Sequence, residues 1–177
     1  MTPDFSKNHF DLFALPVSFD IDVPALERAY RDLQREVHPD RFAAASDAEK
    51  RLAAQWATRA NEGYLTLKTP LKRGRYFLRI HGIDTEEESN TAMPLDFLEQ
   101  QMAWREAVVD AKAARDEQKL DALAAQRDGE EKIMFAQLAR ELSAAATLTD
   151  ARLTVRKLRF LEKLGEEIDE ALEALTA

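Results

Sequence analysis

The chain has 177 residues, room for one domain or two small ones with a packed core and no covalent staples. Its 25 Lys and Arg against 33 Asp and Glu leave a net charge of −8, so no general basic surface exists to release counterions from a nucleic-acid backbone, and DNA and RNA are excluded as partners. Cysteine is absent, which removes disulfides, thiol nucleophiles and thiolate metal sites; with no apolar run near the ~18 residues of a bilayer span and no signal-like start at Met1-Thr2-Pro3-Asp4-Phe5, a soluble cytoplasmic protein is expected.

Five glycines and six prolines punctuate long stretches of Ala, Leu, Glu, Gln, Arg and Lys with apolar residues three and four apart, which predicts an all-α protein. Asp22 is placed to cap a helix with Pro24 in its first turn. Leu26, Tyr30, Leu33 and Val37 share one face of that helix, which must stop near His38 because Pro39 disfavours the α conformation before it. Ser46 and Glu49 form a capping box for a second helix, whose Ala53, Ala57, Ala60, Tyr64 and Leu67 make a small-residue stripe suited to close antiparallel packing. Thr69-Pro70 ends it and opens a short basic helix, Leu71 to Ile80. The polar, acidic stretch from Gly82 to Thr91, closed by Pro94, reads as a linker. Charge divides there: residues 1–83 hold 13 basic and 11 acidic side chains (+2), and 84–177 hold 12 and 22 (−10).

Beyond Pro94, one helix carries two apolar stripes, Phe97/Trp104/Val108 and Leu95/Leu98/Met102/Val109. A bundle helix needs only one, so the second is expected to be partly exposed. A second helix, from about Asp116 to Ala146, has Leu120, Leu123, Met134, Leu138 and Leu142 as candidate core, with Gly129 as a candidate kink. The last, from about Thr149, spaces Ala151, Thr154, Leu158, Leu161, Gly165, Ile168, Leu172 and Leu175 alternately by three and four, a coiled-coil-like seam. Phe160 falls off that seam, on a row with Leu153 and Leu164. Three such helices predict an antiparallel bundle.

The chemistry-bearing motif is His38-Pro39-Asp40, where a basic amphipathic helix meets a loop. Arg28, Arg31 and Arg35 lie on one row of that helix. A row of cations leading to a proline-stiffened corner suits docking on an acidic surface. The bland alternatives are a turn in which Asp40 only caps the chain, a solvated arginine face, and core packing for Leu98, Met102 and Phe160. No nucleophile accompanies His38 and Asp40, because Ser46 is explained as a cap. His9 and His81 are too isolated for a metal site, so no metal and no cofactor are expected.

The segments Tyr30-Arg31-Asp32-Leu33, His38-Pro39-Asp40-Arg41-Phe42 and Ala60-Asn61-Glu62-Gly63-Tyr64-Leu65-Thr66-Leu67, in that order, resemble a J domain, the module that activates ATP hydrolysis in DnaK-type chaperones. Phe10-Asp11-Leu12-Phe13-Ala14-Leu15-Pro16, Pro70 to Leu78, and Val155-Arg156-Lys157-Leu158-Arg159-Phe160-Leu161-Glu162-Lys163-Leu164 extend the resemblance across nearly the whole chain, to the HscB family of J-domain co-chaperones of iron–sulfur cluster biogenesis, bacterial type. Arg41 stands where J domains usually have Lys, Ala14 where glycine is common, and Gly63 where alanine is common. The resemblance implies a J domain at 1–82, an acidic linker at 83–93 and a three-helix scaffold-binding domain at 94–177. It implies no catalysis of its own, and two partners: the chaperone ATPase HscA, engaged by Arg28, Arg31, Arg35, His38, Pro39, Asp40, Arg41 and Asn61, and the cluster scaffold IscU, engaged by Leu98, Glu99, Met102, Ala103, Glu106, Asp110 and Phe160. Within that footprint Ala103 and Asp110 replace glutamates and Glu99 replaces a methionine. A monomer is expected. Two other readings stand beside this one: a J protein with a different client, and a small helical hydrolase using His38 and Asp40.

Overall fold

The computed structural model describes residues 4–42, 44–87 and 92–176, and among them every regular element is helical. The chain forms two compact units, Met1–Gly82 and Ile83–Ala177. Met1 to Pro3, and the 88–91 stretch of the expected linker, lie outside the described residues.

The first unit contains α1 (His9–Leu12), α2 (Val23–Glu36), α3 (Asp47–Lys68) and α4 (Pro70–Ile80). Helix α2 starts where expected: the Asp22 carboxylate accepts the Ala25 N–H at 3.0 Å, with Pro24 in the first turn. Helix α3 opens on the full capping box, Ser46 and Glu49 satisfying each other's backbone N–H groups. That hydrogen bonding holds the Glu49 carboxyl below its ordinary pKa. The two helices run antiparallel, since Glu27 reaches Lys68 at 3.4 Å while Tyr30 lies flat on Tyr64, ring centroids 4.1 Å apart. Leu26, Leu33 and Val37 bury against a stripe containing Ala53, Ala60 and Leu67. Trp56, outside the expected stripe, is also buried, with the Phe5 ring edge-on to it.

Short α1 closes the unit. Its backbone N–H at His9 donates to the Tyr76 hydroxyl of α4 at 2.8 Å, and the His9 ring stacks on Tyr76 at 4.4 Å. Gly63 is buried beneath it: a Cβ there would stand 3.1 Å from His9 Nδ1 and 3.2 Å from the Phe13 ring. The glycine therefore provides the clearance that seats α1. Ala14, which follows, has φ +52°, a left-handed conformation that accounts for the glycine common at this position.

The second unit is a bundle of α5 (Leu95–Ala114), α6 (Glu117–Leu142) and α7 (Leu148–Thr176). Phe97, Trp104 and Val108 of α5, Leu120, Met134, Leu138 and Leu142 of α6, and Ala151, Leu158, Leu161 and Ile168 of α7 form its core. Two expectations are corrected. Gly129 does not break α6, which runs unbroken from Glu117 to Leu142; the ~1 kcal/mol helix cost of one glycine is small against the packing of that helix on both α5 and α7. Leu164, expected with Phe160 on an exposed row, is buried, as are Val155 and Ala171. Helix α7 packs on both α5 and α6 and so needs apolar residues on two faces, where a single seam supplies one. The acidic stretch is not all free chain: the Glu86 carboxylate accepts from Arg152 of α7 at 3.1 Å.

Candidate functional site

The corner between α2 and α3 is built from the backbone upward. Val37 N–H still reaches Leu33 O at 3.1 Å, but Pro39 has no N–H with which to continue the helix. The chain tightens into a 3₁₀ turn over Pro39–Phe42, closed by Arg41 N–H donating to His38 O at 3.0 Å. The ring of Pro39 lies outside the described atoms. His38 Nδ1 accepts the Asp40 N–H at 3.3 Å. One Asp40 carboxylate oxygen stands 3.5 Å from the same nitrogen, and the Asp40 side chain is 90% exposed. The histidine thus bridges onto the turn's own backbone and fixes the corner from which the carboxylate projects.

The arginines of α2 do not form a uniform row. Arg28 approaches Asp22 at 3.7 Å and Arg35 approaches Asp32 at 3.0 Å, while Arg31 is exposed and makes no ion pair among the described residues. Exposed pairs of this kind contribute about 0–1 kcal/mol, so both arginines can exchange their own carboxylates for those of a partner. Arg41 is exposed on the turn. Asn61 is exposed on α3, and its hydrogen bond goes to Tyr30: the Tyr30 hydroxyl donates to Asn61 Oδ1 at 3.2 Å and accepts from Gln34 at 2.9 Å. Asn61 therefore ties the hairpin together across the Tyr30–Tyr64 stack. Sequence spacing carries no sign of this bond, because it depends on the register between two helices.

In the second unit, Glu99, Met102, Ala103, Glu106 and Asp110 are exposed on α5, and Leu98 is half-buried. Phe160 of α7 is half-buried and meets Phe97 of α5 edge-on at 5.9 Å, so it borders the α5 surface. Lys157 lies over the Phe97 ring at 5.2 Å, and Arg105 bonds Glu167 at 3.2 Å, joining α5 to α7 on that side. Among the described residues no His, Asp and Glu cluster is placed to hold a metal ion, and no helix is long and apolar enough to cross a membrane.

Comparison with known proteins agrees with this architecture. Residues 93–169 match the family model described as the HSCB C-terminal oligomerisation domain. The chain is 52% identical to a co-chaperone protein HscB homolog of Paraburkholderia phymatum over 170 residues, covering 96% of this chain and 97% of the relative. It is 50% identical to that of Burkholderia cenocepacia over 168 residues, 95% of each. Among solved structures, chaperone HscB from Vibrio cholerae superposes with a TM-score of 0.84 at 34% identity, over 96% of this chain and 99% of that one. Human co-chaperone HscB superposes with a TM-score of 0.87 at 28% identity, over 96% and 84%. The first unit is accordingly a J domain, and the hydrolase reading falls, since co-chaperones form a class without catalysis of their own. With half of its residues identical to those relatives over nearly its whole length, the chain belongs to the HscB family of J-domain co-chaperones of iron–sulfur cluster biogenesis.

Proposed function

We propose that the protein holds the scaffold IscU on its second unit and presents it to the DnaK-type chaperone HscA, whose ATPase the corner of the first unit stimulates. The observation that carries this reading is the Asp40 carboxylate, 90% exposed at the tip of a turn that His38 ties to its own backbone. A charge held out in this way reaches the polar network of an acceptor ATPase without first reorganising its own chain. Arg28, Arg31 and Arg35 steer the encounter, Arg41 adds a cation beside the carboxylate, and Asn61 holds the hairpin that aims the corner. The output is a coupling free energy expressed in another protein's hydrolysis rate. Residues 1–82 act as the trigger and 94–177 as the client holder, in the cytoplasm and as a monomer.

The test is the HscA ATPase rate titrated with this protein, with and without IscU. Wild type raises the rate, and IscU raises it further. Asp40→Asn leaves it at the basal level with helical content unchanged. Full stimulation by a folded D40N would refute the role of the corner. Because Glu99, Ala103 and Asp110 depart from the family's footprint, the experiment also decides whether the client is IscU: a protein that stimulates HscA and fails to retain IscU serves another client.

A further inference from the structure

The acidic stretch before α5 holds a shape that its own sequence does not favour. Glu86 has φ +54°, a left-handed conformation that a residue with a Cβ adopts only at a cost. Two local bonds shape the turn around it: the Glu86 N–H donates to the Asp84 carboxylate at 2.9 Å, and the Thr85 hydroxyl donates to the Glu87 carboxylate at 2.7 Å. A strained backbone persists where its surroundings hold it. The holding group is Arg152 of α7, whose guanidinium donates to the Glu86 carboxylate at 3.1 Å with the two side chains only 31% and 35% exposed.

Arg152 shares its face with two more arginines. At 100° per residue, Arg152, Arg156 and Arg159 fall within about 60° of one another on α7, roughly opposite the core residues Leu158, Leu161 and Ile168. Arg156, on that side away from the core, is nevertheless 8% exposed. Arg159 donates to Glu162 of its own helix, and its pKa is raised chiefly by that bond and further by the charges of Glu166 and Glu87. The two glutamates of the turn therefore act on the two ends of one arginine stripe, seven residues or about 10 Å apart.

We propose that residues 84–87 are a strap, closed on the arginine stripe of α7 with Glu86 and Glu87 as its resident anions, and opened by a partner segment that brings adjacent carboxylates of its own. The chemistry of the displacing segment is read from the one already seated, consecutive Glu side chains in a turn. Ion pairs hold the strap shut, while the left-handed backbone at Glu86 favours release, so the two states lie close in energy. Open, the strap leaves Arg152, Arg156 and Arg159 as a cationic stripe beside Phe160, in a part of the chain with 12 basic and 22 acidic side chains over residues 84–177. This device belongs to the second unit and goes beyond the scaffold and chaperone readings.

The experiment is amide-resolved NMR of the full-length protein, reading hydrogen exchange and heteronuclear NOE at Thr85, Glu86 and Glu87. At low salt these amides should be as ordered as those of α7. Glu86→Arg and Arg152→Glu, each alone, should speed their exchange by ~3- to 10-fold, as one partly buried ion pair gives way to a repulsive one. The double variant E86R/R152E should regain protection, a recovery that a turn held only by Asp84 and Thr85 would not show. A hexaglutamate peptide added to the wild type should speed the same exchange and shift the Arg152 and Arg159 Nε resonances, and high salt should abolish its effect. Wild-type amides as mobile as free chain, single reversals that leave exchange unchanged, no recovery in the double variant, or a hexaglutamate peptide without effect would each overturn the proposal.

Discussion

The two units meet their proposed partners by opposite physical means. In the first, the candidate groups are charged and owe their direction to backbone geometry: a helix ended before Pro39, a turn closed on His38 O, and a hairpin locked by the Tyr30–Tyr64 stack. In the second, the candidate groups are mostly apolar and sit on long helices whose sequence carries more hydrophobic surface than the bundle can bury. A carboxylate acts through short-range, directional contacts, so its support must be rigid. Apolar contact is non-directional and roughly proportional to area, so single residues can change while the surface persists. The His38-Pro39-Asp40 triplet keeps the family's pattern, while departures occur in both units: at Ala14, Arg41 and Gly63 in the first, and at Glu99, Ala103 and Asp110 on the proposed scaffold face of the second.

The contrast is broken most sharply by crossing variants of the two units. Asp40→Asn should abolish HscA stimulation and leave IscU affinity within a factor of about two. Leu98→Ala with Phe160→Ala should weaken IscU binding by about 10- to 100-fold, the scale of two interface truncations of 1 kcal/mol or more each, while scaffold-free stimulation is retained. Loss of both functions in either variant would show that the units do not work separately. Phe160→Ala also removes the edge contact with Phe97, so its melting curve belongs beside its binding curve.

A smaller effect, of opposite sign in the two units, comes from their glycines. At Gly63 a methyl group would press on two rigid rings, His9 at 3.1 Å and Phe13 at 3.2 Å. Overpacking of that kind outweighs the gain in helix propensity, and Gly63→Ala should destabilise the first unit by about 1–2 kcal/mol. At Gly129 nothing lies within 4 Å of the added methyl, and Gly129→Ala should stabilise the second unit by about 1 kcal/mol. Trp56 is buried in one unit and Trp104 in the other, and they are the chain's two tryptophans. Urea unfolding of single-tryptophan variants therefore reads each unit alone. Equal and same-signed shifts would mean that α1 is not seated on Gly63.

Helix positions were legible because caps and prolines act locally: Asp22, the Ser46–Glu49 box and Pro70 mark boundaries that the structure keeps. The features missed depend on tertiary packing. Trp56 escaped the small-residue stripe because its neighbour Phe5 is distant in sequence. Leu164 was assigned outward because one seam describes a helix with one neighbour, and α7 has two. At the site, the triplet's place at a helix end and the exposure of Asp40 followed from the chain's punctuation. The pairing of Arg28 with Asp22 and of Arg35 with Asp32 did not, because exposed side chains choose partners by energies below 1 kcal/mol. Asn61 was recognisable by resemblance, and its bond to Tyr30 only from the helix register.

The weakest lever is pH, and it too separates the units, because all three histidines belong to the first. His9 is buried against Tyr76, and burial is the main cause holding its pKa below the ordinary 6.5; Glu62 opposes the shift, and Arg59 and Arg79 reinforce it. The unfolded ring protonates near pH 6.5 while the folded ring resists the proton. The stabilisation is therefore complete above that pH and is lost as pH falls below it, with a slope of at most about 1.4 kcal/mol per pH unit until the folded ring also protonates. Unfolding monitored through Trp56 at pH 7.5 and 5.5 should show this loss, and His9→Phe should flatten it. The Trp104 signal lacks any histidine contribution and serves as the internal reference. An undiminished slope in H9F would show that the seat of α1 is indifferent to acid.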